Sequence, residues 1–122
     1  MARPTRQAAY LYGLETEWLA AAFLRLKGYR IVTKRFSAAG GEIDLIAERA
    51  GTLVFVEVKA RGTMEAARSA ISPDKLRRIG RAARAYLGRR SAFPATIRLD
   101  AVFLAPGRWP RHEQGIAEID LN

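Results

Sequence analysis

GEIDLIAERAGTLVFVEVKAR, residues 41–61, is two alternating runs set about a central Ala50-Gly51. Glu42 to Glu48 and Leu53 to Ala60 read as two strands of a hairpin. With Ala50-Gly51 at the tip, Arg49 faces Thr52, Asp44 lies opposite Glu57, and Glu42 lies opposite Lys59. Directly opposed residues hold their Cβ atoms about 4.5–5.5 Å apart. A three-residue loop would shift this register, and Ala is not the preferred residue at the first turn position. Alternation puts Glu42, Asp44, Ile46 and Glu48 on one face with Leu53, Phe55, Glu57 and Lys59. The other face carries Ile43, Leu45, Ala47, Val54, Val56 and Val58, all apolar. Two carboxylates that meet beside Ile46 and Phe55 repel each other. A divalent cation between them relieves the repulsion; so does Lys59, as part of a structural ion cluster. From the residues alone both readings stay open.

Working outward, Arg6 to Lys27 reads as a helix that stops at Gly28, with Trp18, Ala21, Ala22 and Leu26 at helical spacing. Apolar residues nearly encircle it, so much of it is expected to be buried. Tyr29 to Phe36 reads as a strand and 37–41 as a loop. Arg61 to Ile71 reads as loop with one helical turn. Ser72-Pro73-Asp74 is a helix start: Ser caps, Pro suits the first position, and Asp favours the positive end of the dipole. The helix of about 73–87 would bury Leu76, Ile79, Ala83 and Tyr86 and expose Arg77, Arg81 and Arg84. Ala95 to Leu104 reads as a strand, 108–113 as a loop, and Gly115 to Leu121 as an edge strand. The order is α-β-β-β-α-β with an extra β. The first three strands form a meander and the fourth enters through a helical crossover, giving one α/β domain with a mixed sheet flanked by helices. Its core spans about 6–104, and 105–122 form a C-terminal loop and edge strand.

A chain of 122 residues with 49% hydrophobic content is one domain large enough for its own core. It has no cysteine and a single histidine, His112, which excludes disulfides and cysteine- or histidine-rich metal sites. A metal here would be held by carboxylates, which select hard ions such as Mg²⁺ or Mn²⁺. The longest apolar run, Trp18 to Leu24, is far short of the roughly 20 residues that span a bilayer. With no signal-peptide pattern, the expectation is a cytoplasmic protein away from membranes. The net charge is +9, and the stretch from Arg61 to Arg98 holds ten basic residues against two acidic ones. That localised field, including Arg61, Lys75, Arg77, Arg78, Arg81 and Arg84, suits a polyanion such as DNA or RNA. The plainer alternative is a solvated basic face.

The strings GEIDLIA (41–47) and VFVEVKAR (54–61) resemble the PD-(D/E)XK nuclease superfamily, and more closely its bacterial YraN-like branch. The resemblance runs from about Gly13 to Val102 and implies a restriction-endonuclease-like core, the α-β-β-β-α-β order already read from the residues. It implies Asp44 and Glu57 as Mg²⁺ ligands with the Val58 carbonyl completing the site, and Lys59 as the group that positions water or steadies phosphate charge. It selects Glu17 rather than Glu15 as the first-helix glutamate. The apolar helical neighbours Tyr10, Leu14, Ala20, Ala21 and Leu24 turn Glu17 inward. Lys75 falls where related proteins carry a polar residue near the site, though a solvated first-turn lysine is an equal reading. Glu42 belongs to the matching string, but its favoured role is pairing with Lys59 or Arg98. The stretch Lys34-Arg35-Phe36-Ser37 departs from the family's usual Asn and basic residue, and the C-terminal aromatic ending is absent.

The expected activity is metal-dependent hydrolysis of a phosphodiester in DNA of particular structure, with weak sequence preference, since phosphate contacts position without reading bases. A four-way junction is implied by the resemblance alone, and cutting two strands symmetrically would call for a homodimer. The rival is a nucleic-acid-binding module with a silent nuclease site, in one version associated with RNA.

Overall fold

The computed structural model describes residues 6–90, 94 and 96–119, with side chains from residue 15 onward. The elements in chain order are α1 (Arg6–Leu26), β1 (Arg30–Ala38), β2 (Gly41–Arg49), β3 (Thr52–Ala60), α2 (Met64–Ser69), α3 (Pro73–Gly88), β4 (Thr96–Leu104) and β5 (Arg111–Ala117). The strands form one mixed sheet in the order β1-β2-β3-β4-β5. Only β3 and β4 run parallel, because α2 and α3 carry the chain back between them. The meander and the crossover are as expected.

α1 ends in a Schellman arrangement. Gly28 has φ +92°, its amide donates to the Arg25 carbonyl and the Tyr29 amide donates to the Leu24 carbonyl. Both hairpins of the meander close through two-residue turns with positive φ at each position: Ala39-Gly40 (53° and 77°) and Ala50-Gly51 (49° and 80°). The expected loop at 37–41 is therefore corrected, since β1 runs on to Ala38 and pairs it directly with Gly41. The Ala50-Gly51 tip fixes Arg49 opposite Thr52 as expected. Ser72 caps α3, its Oγ accepting the Lys75 amide at 3.1 Å. Two other boundaries change. β5 begins at Arg111 inside the expected loop and ends at Ala117, and the expected strand end at Leu121 lies outside the described residues, as does Ala95.

The sheet separates two cores. On one face Ala20, Ala21 and Leu24 of α1 cover Leu45, Ala47, Val54, Val56 and Val102. On the other, Ile79, Ala82, Ala83 and Leu87 of α3 cover Ile43, Ile46, Leu53, Phe55 and Leu99. Two expectations fail here. Among its described side chains, α1 buries one stripe: Trp18 and Leu26 stand 60% and 85% exposed, because a single sheet face accepts one side of the helix. Ile43 packs with Ile46 rather than with Leu45, so alternation breaks around Asp44. The partner strand is irregular at the same place. Lys34 pairs with Leu45 and Phe36 with Ile43, and the intervening Arg35 has φ +55°.

Gly41 is required by the approach of β2 to α3. A Cβ there would collide with the Arg78 carbonyl oxygen, which is backbone and cannot swing aside. β5 is fastened by Asp100, a fully buried carboxylate on β4. Its oxygens accept from Arg98 Nε and Nη2 (2.7 and 2.8 Å), from His112 Nε2 (2.6 Å) and from the Gly115 amide (3.0 Å). Lys27 Nζ lies 2.5 Å from His112 Nδ1, and an ammonium can only donate, so His112 donates through Nε2. Burial pushes the Asp100 carboxyl upward, but His112, Arg98 and the Gly115 amide together hold it below the usual carboxylate range.

Two stability predictions follow from these positions. Gly41→Ala should lower stability by more than ~2 kcal/mol, because backbone must move. Asp100→Asn should lose ~3 kcal/mol near neutrality by leaving Arg98 without its charge partner. A depressed carboxyl contributes stability above its unfolded value and loses it as pH falls through the folded one, so the gap to the native protein should narrow below about pH 4. Urea titrations of both variants across pH measure each effect.

Candidate active site

β3 carries Glu57, Val58 and Lys59 to the end of the sheet at which β2 parts from it. The hairpin pairing runs from Arg49–Thr52 to Leu45–Val56, the register expected from the tip. Beyond it the Asp44 side chain takes over: Oδ2 accepts the Val58 amide at 2.7 Å. Asp44 and Glu57 are close enough for charge on one carboxylate to disfavour charge on the other. Glu57 is 1% exposed, on the α3 side of the sheet. Its Oε1 lies 3.1 Å from Lys59 Nζ and 3.6 Å from Lys75 Nζ. Its Oε2 is buried and has no hydrogen-bond partner.

Glu17 enters from α1. It is inward-facing and pairs with Arg35 Nε at 2.8 Å, and its charge also acts on Asp44. Tyr10 and Leu14, named as its helical neighbours, have side chains outside the described residues. Asp44, Glu57, Lys59, Glu17 and Lys75 therefore gather at one place, Lys75 through its approach to Glu57. Arg61 Nη1 donates to the Ala60 carbonyl at 2.7 Å, just past Lys59.

The basic face of α3 is partly engaged within the protein. Arg77 and Arg78 pair with Asp74 at 3.4 and 2.5 Å, and Arg81 Nε donates to the Ala39 carbonyl at 3.1 Å. Arg77 and Arg81 are exposed as expected, whereas Arg84 is half-buried. Glu42 does not take the partners expected for it: Lys59 turns to Glu57 and Arg98 to Asp100, while Glu42 lines a cleft with Lys75 and Arg78.

Burial raises the Asp44 carboxyl to about 7, with Glu57 adding to the effect, Glu17 adding less, and the Val58 amide and Lys75 opposing it. A raised carboxyl beside an unpartnered buried carboxylate oxygen is an arrangement that a cation stabilises. The donor set fits a hard divalent ion held by Asp44, Glu57 and the Val58 carbonyl. Among the described residues no three His, Cys, Asp or Glu side chains converge as a complete cage, so water or a phosphate oxygen would have to supply the remaining positions.

Sequence reasoning missed Arg35, whose unusual backbone aims it at Glu17, and the Asp100–His112–Lys27 network. The one available signal for the latter was a lone histidine together with an aspartate inside the apolar strand 96–104.

The chain matches the model of the uncharacterised protein family UPF0102 over residues 16–104. It is similar to a UPF0102 protein of Methylorubrum extorquens, 55% identical over 116 residues that cover 94% of this chain and 91% of the relative. A UPF0102 protein of Methylocella silvestris is 49% identical, covering 95% of this chain and 94% of the relative. One of Parvibaculum lavamentivorans is 50% identical, covering 88% and 82%. No described helix is long and apolar enough to cross a membrane.

A carboxyl raised from 3.8 to about 7 favours the folded state while protonated, and that contribution is lost as pH rises through about 7. Asn cannot ionise, and its Oδ1 still accepts the Val58 amide. Asp44→Asn should therefore be the more stable protein in EDTA at about pH 8, by a few kcal/mol, with the difference closing towards roughly pH 4. Denaturant titration at several pH values checks the sign.

Proposed function

We propose that this chain, which belongs to the uncharacterised UPF0102 family, is a divalent-metal-dependent nucleic-acid phosphodiesterase of the PD-(D/E)XK type, YraN-like within it. The observation that carries the reading is the buried Glu57, with one oxygen on two lysines and the other unpartnered, beside an Asp44 carboxyl raised by the same burial. Buried polar atoms that serve only structure are as a rule paired.

In this reading Asp44, Glu57 and the Val58 carbonyl hold Mg²⁺ or Mn²⁺. Bound there, the ion would lower the pKa of a coordinated water and offset charge on the phosphate. Lys59, held by Glu57 beside the scissile group, orients the attacking water or donates to a phosphate oxygen. Lys75 adds a second positive charge from the α3 side, so charge that develops on the phosphate meets preplaced donors. Glu17, tied to Arg35, fixes α1 against the site and keeps negative charge near Asp44. Arg61, Arg78 and the face with Arg77, Arg81 and Arg84 supply a field for the flanking phosphates. DNA is the first substrate to test, and a homodimer is the assembly that symmetric cutting would require.

A second reading, a nucleic-acid-binding module with a silent site, has one observation in its favour: among the described residues no group of three His, Cys, Asp or Glu side chains is placed to hold an ion by itself.

Calorimetry with Mn²⁺ separates the two. The native protein should bind with a dissociation constant on the order of micromolar, and Asp44→Asn and Glu57→Gln should lose at least ~10-fold, the scale of one charged ligand. Native protein with Mn²⁺ should nick junction, flap or single-stranded DNA, and Lys59→Ala should keep metal binding while losing ~10²-fold or more in rate. Tight DNA binding with no metal uptake would leave the silent module standing.

A further inference from the structure

The other side of the same sheet end carries an apolar groove that the proposed chemistry does not use. It lies between α1 and the β4–β5 connection, has a volume of about 680 Å³, and is walled by Leu19, Phe23, Leu26, Leu104 and Trp109. Trp109 and Leu26 are each 85% exposed. The loop that presents the indole is braced. Arg108 donates its amide to the Ala105 carbonyl at 3.2 Å, Pro106 and Gly107 occupy the central positions, and Gly107 has φ +70°, the pattern of a type II turn. Pro110 follows Trp109 directly. The backbone that carries the ring is thus set in advance, so less entropy is lost when something stacks on it.

Arg108 lines the groove, and Lys27 lies beside it with Nζ 5.6 Å from the centroid of the Phe23 ring. Among the described residues, Glu15 is the one acid in the lining. A second copy seated there would bring like charges together in a chain of net charge +9. A polyanion with flat apolar faces meets the indole and the cations alike. The groove also adjoins the candidate active site: Leu104 pairs with Ala60, the residue after Lys59, and Thr16 of the lining precedes Glu17.

We propose that the Leu26–Trp109 groove is a base-stacking site for an unpaired, single-stranded segment of nucleic acid. The segment continues from the phosphates that cross the end of the sheet at Lys59 and Lys75. Duplex DNA keeps its bases stacked internally and cannot fill the groove, so the site selects substrates with a single-stranded arm. The inference rests on the nucleic-acid part of the proposed function and is independent of whether the metal site is active.

The test is binding of fluorescein-labelled dodecathymidylate and of a twelve-base-pair duplex, in EDTA at low salt, by the full chain and its Trp109→Ala and Trp109→Phe variants. The highly exposed Trp109 makes either variant a surface change, and melting curves confirm that both fold. Trp109→Ala should weaken the single strand by about 5- to 100-fold and the duplex by less than about twofold, with Trp109→Phe retaining most of the affinity. Equal losses on both polymers, or no loss on the single strand, would overturn the proposal. So would a micromolar dimer that Trp109→Ala dissociates while single-strand affinity is unchanged, which assigns the groove to a second copy. Native protein that binds neither polymer removes the nucleic-acid reading and this site together. Loss of Mn²⁺ uptake alone touches only the metal reading, because EDTA is present throughout.

Discussion

The hydrogen bond from the Val58 amide to Asp44 is the constraint on which the rest of this end of the molecule depends. Past Leu45–Val56 the hairpin opens, and a side-chain carboxylate accepts the amide that points toward β2. With the strands parted, Glu57 sits in a dry wedge with α3 above it, and Lys59 and Lys75 can both reach one of its oxygens. The parting also turns Ile43 towards the α3 core and brings Gly41 against the α3 backbone at Arg78. The opening of the strands, the burial of Glu57 and the helix approach are one arrangement. A continuous ladder would bury Asp44 and Glu57 face to face with no room between them.

The sequence was informative where the forces are local. Ala50-Gly51 with alternating flanks set the hairpin register, Ser72-Pro73 set the start of α3, and the helix between β3 and β4 required a parallel pairing. It failed where a tertiary contact overrides a local pattern. Strict alternation assigned Ile43 to the face of Leu45, because nothing in a period of two announces the side-chain bond at Asp44. The helix periodicity could not choose among stripes on α1, since apolar residues nearly encircle it, and Trp18 and Leu26 proved to be exposed. Hairpin arithmetic put Asp44, Glu57 and Lys59 on one face, but the ladder stops at Leu45–Val56, so Asp44 reaches the Val58 amide instead of standing directly opposite Glu57. Glu17 was separated from Glu15 only by resemblance, and the structure then gave it a physical partner in Arg35.

The two buried aspects of charge in this fold are handled in opposite ways. Asp100 is fully buried yet satisfied: Arg98, His112 and the Gly115 amide occupy its oxygens, and it fastens β5 to β4. Glu57 is equally buried and left incomplete. The same chain builds a saturated carboxylate within a strand and an unsaturated one at a strand end. This contrast weighs against reading the unpaired oxygen as tolerated imperfection, since the fold can complete such a site when completion serves the structure.

The basic residues sort by the same criterion. Arg77 and Arg78 share Asp74 in exposed pairs that are worth little to stability, and Arg81 ties α3 to the β1–β2 turn. Such side chains can exchange an internal partner for a phosphate at small cost, so they serve better as a field than as fixed contacts. Lys59 and Lys75 differ, because both converge on a single buried carboxylate that limits where their ammonium groups can stand. The movable cations therefore lie along the helix and the fixed ones at the buried carboxylate; under the proposed function, a polyanion would slide along the first set and be held in register at the second.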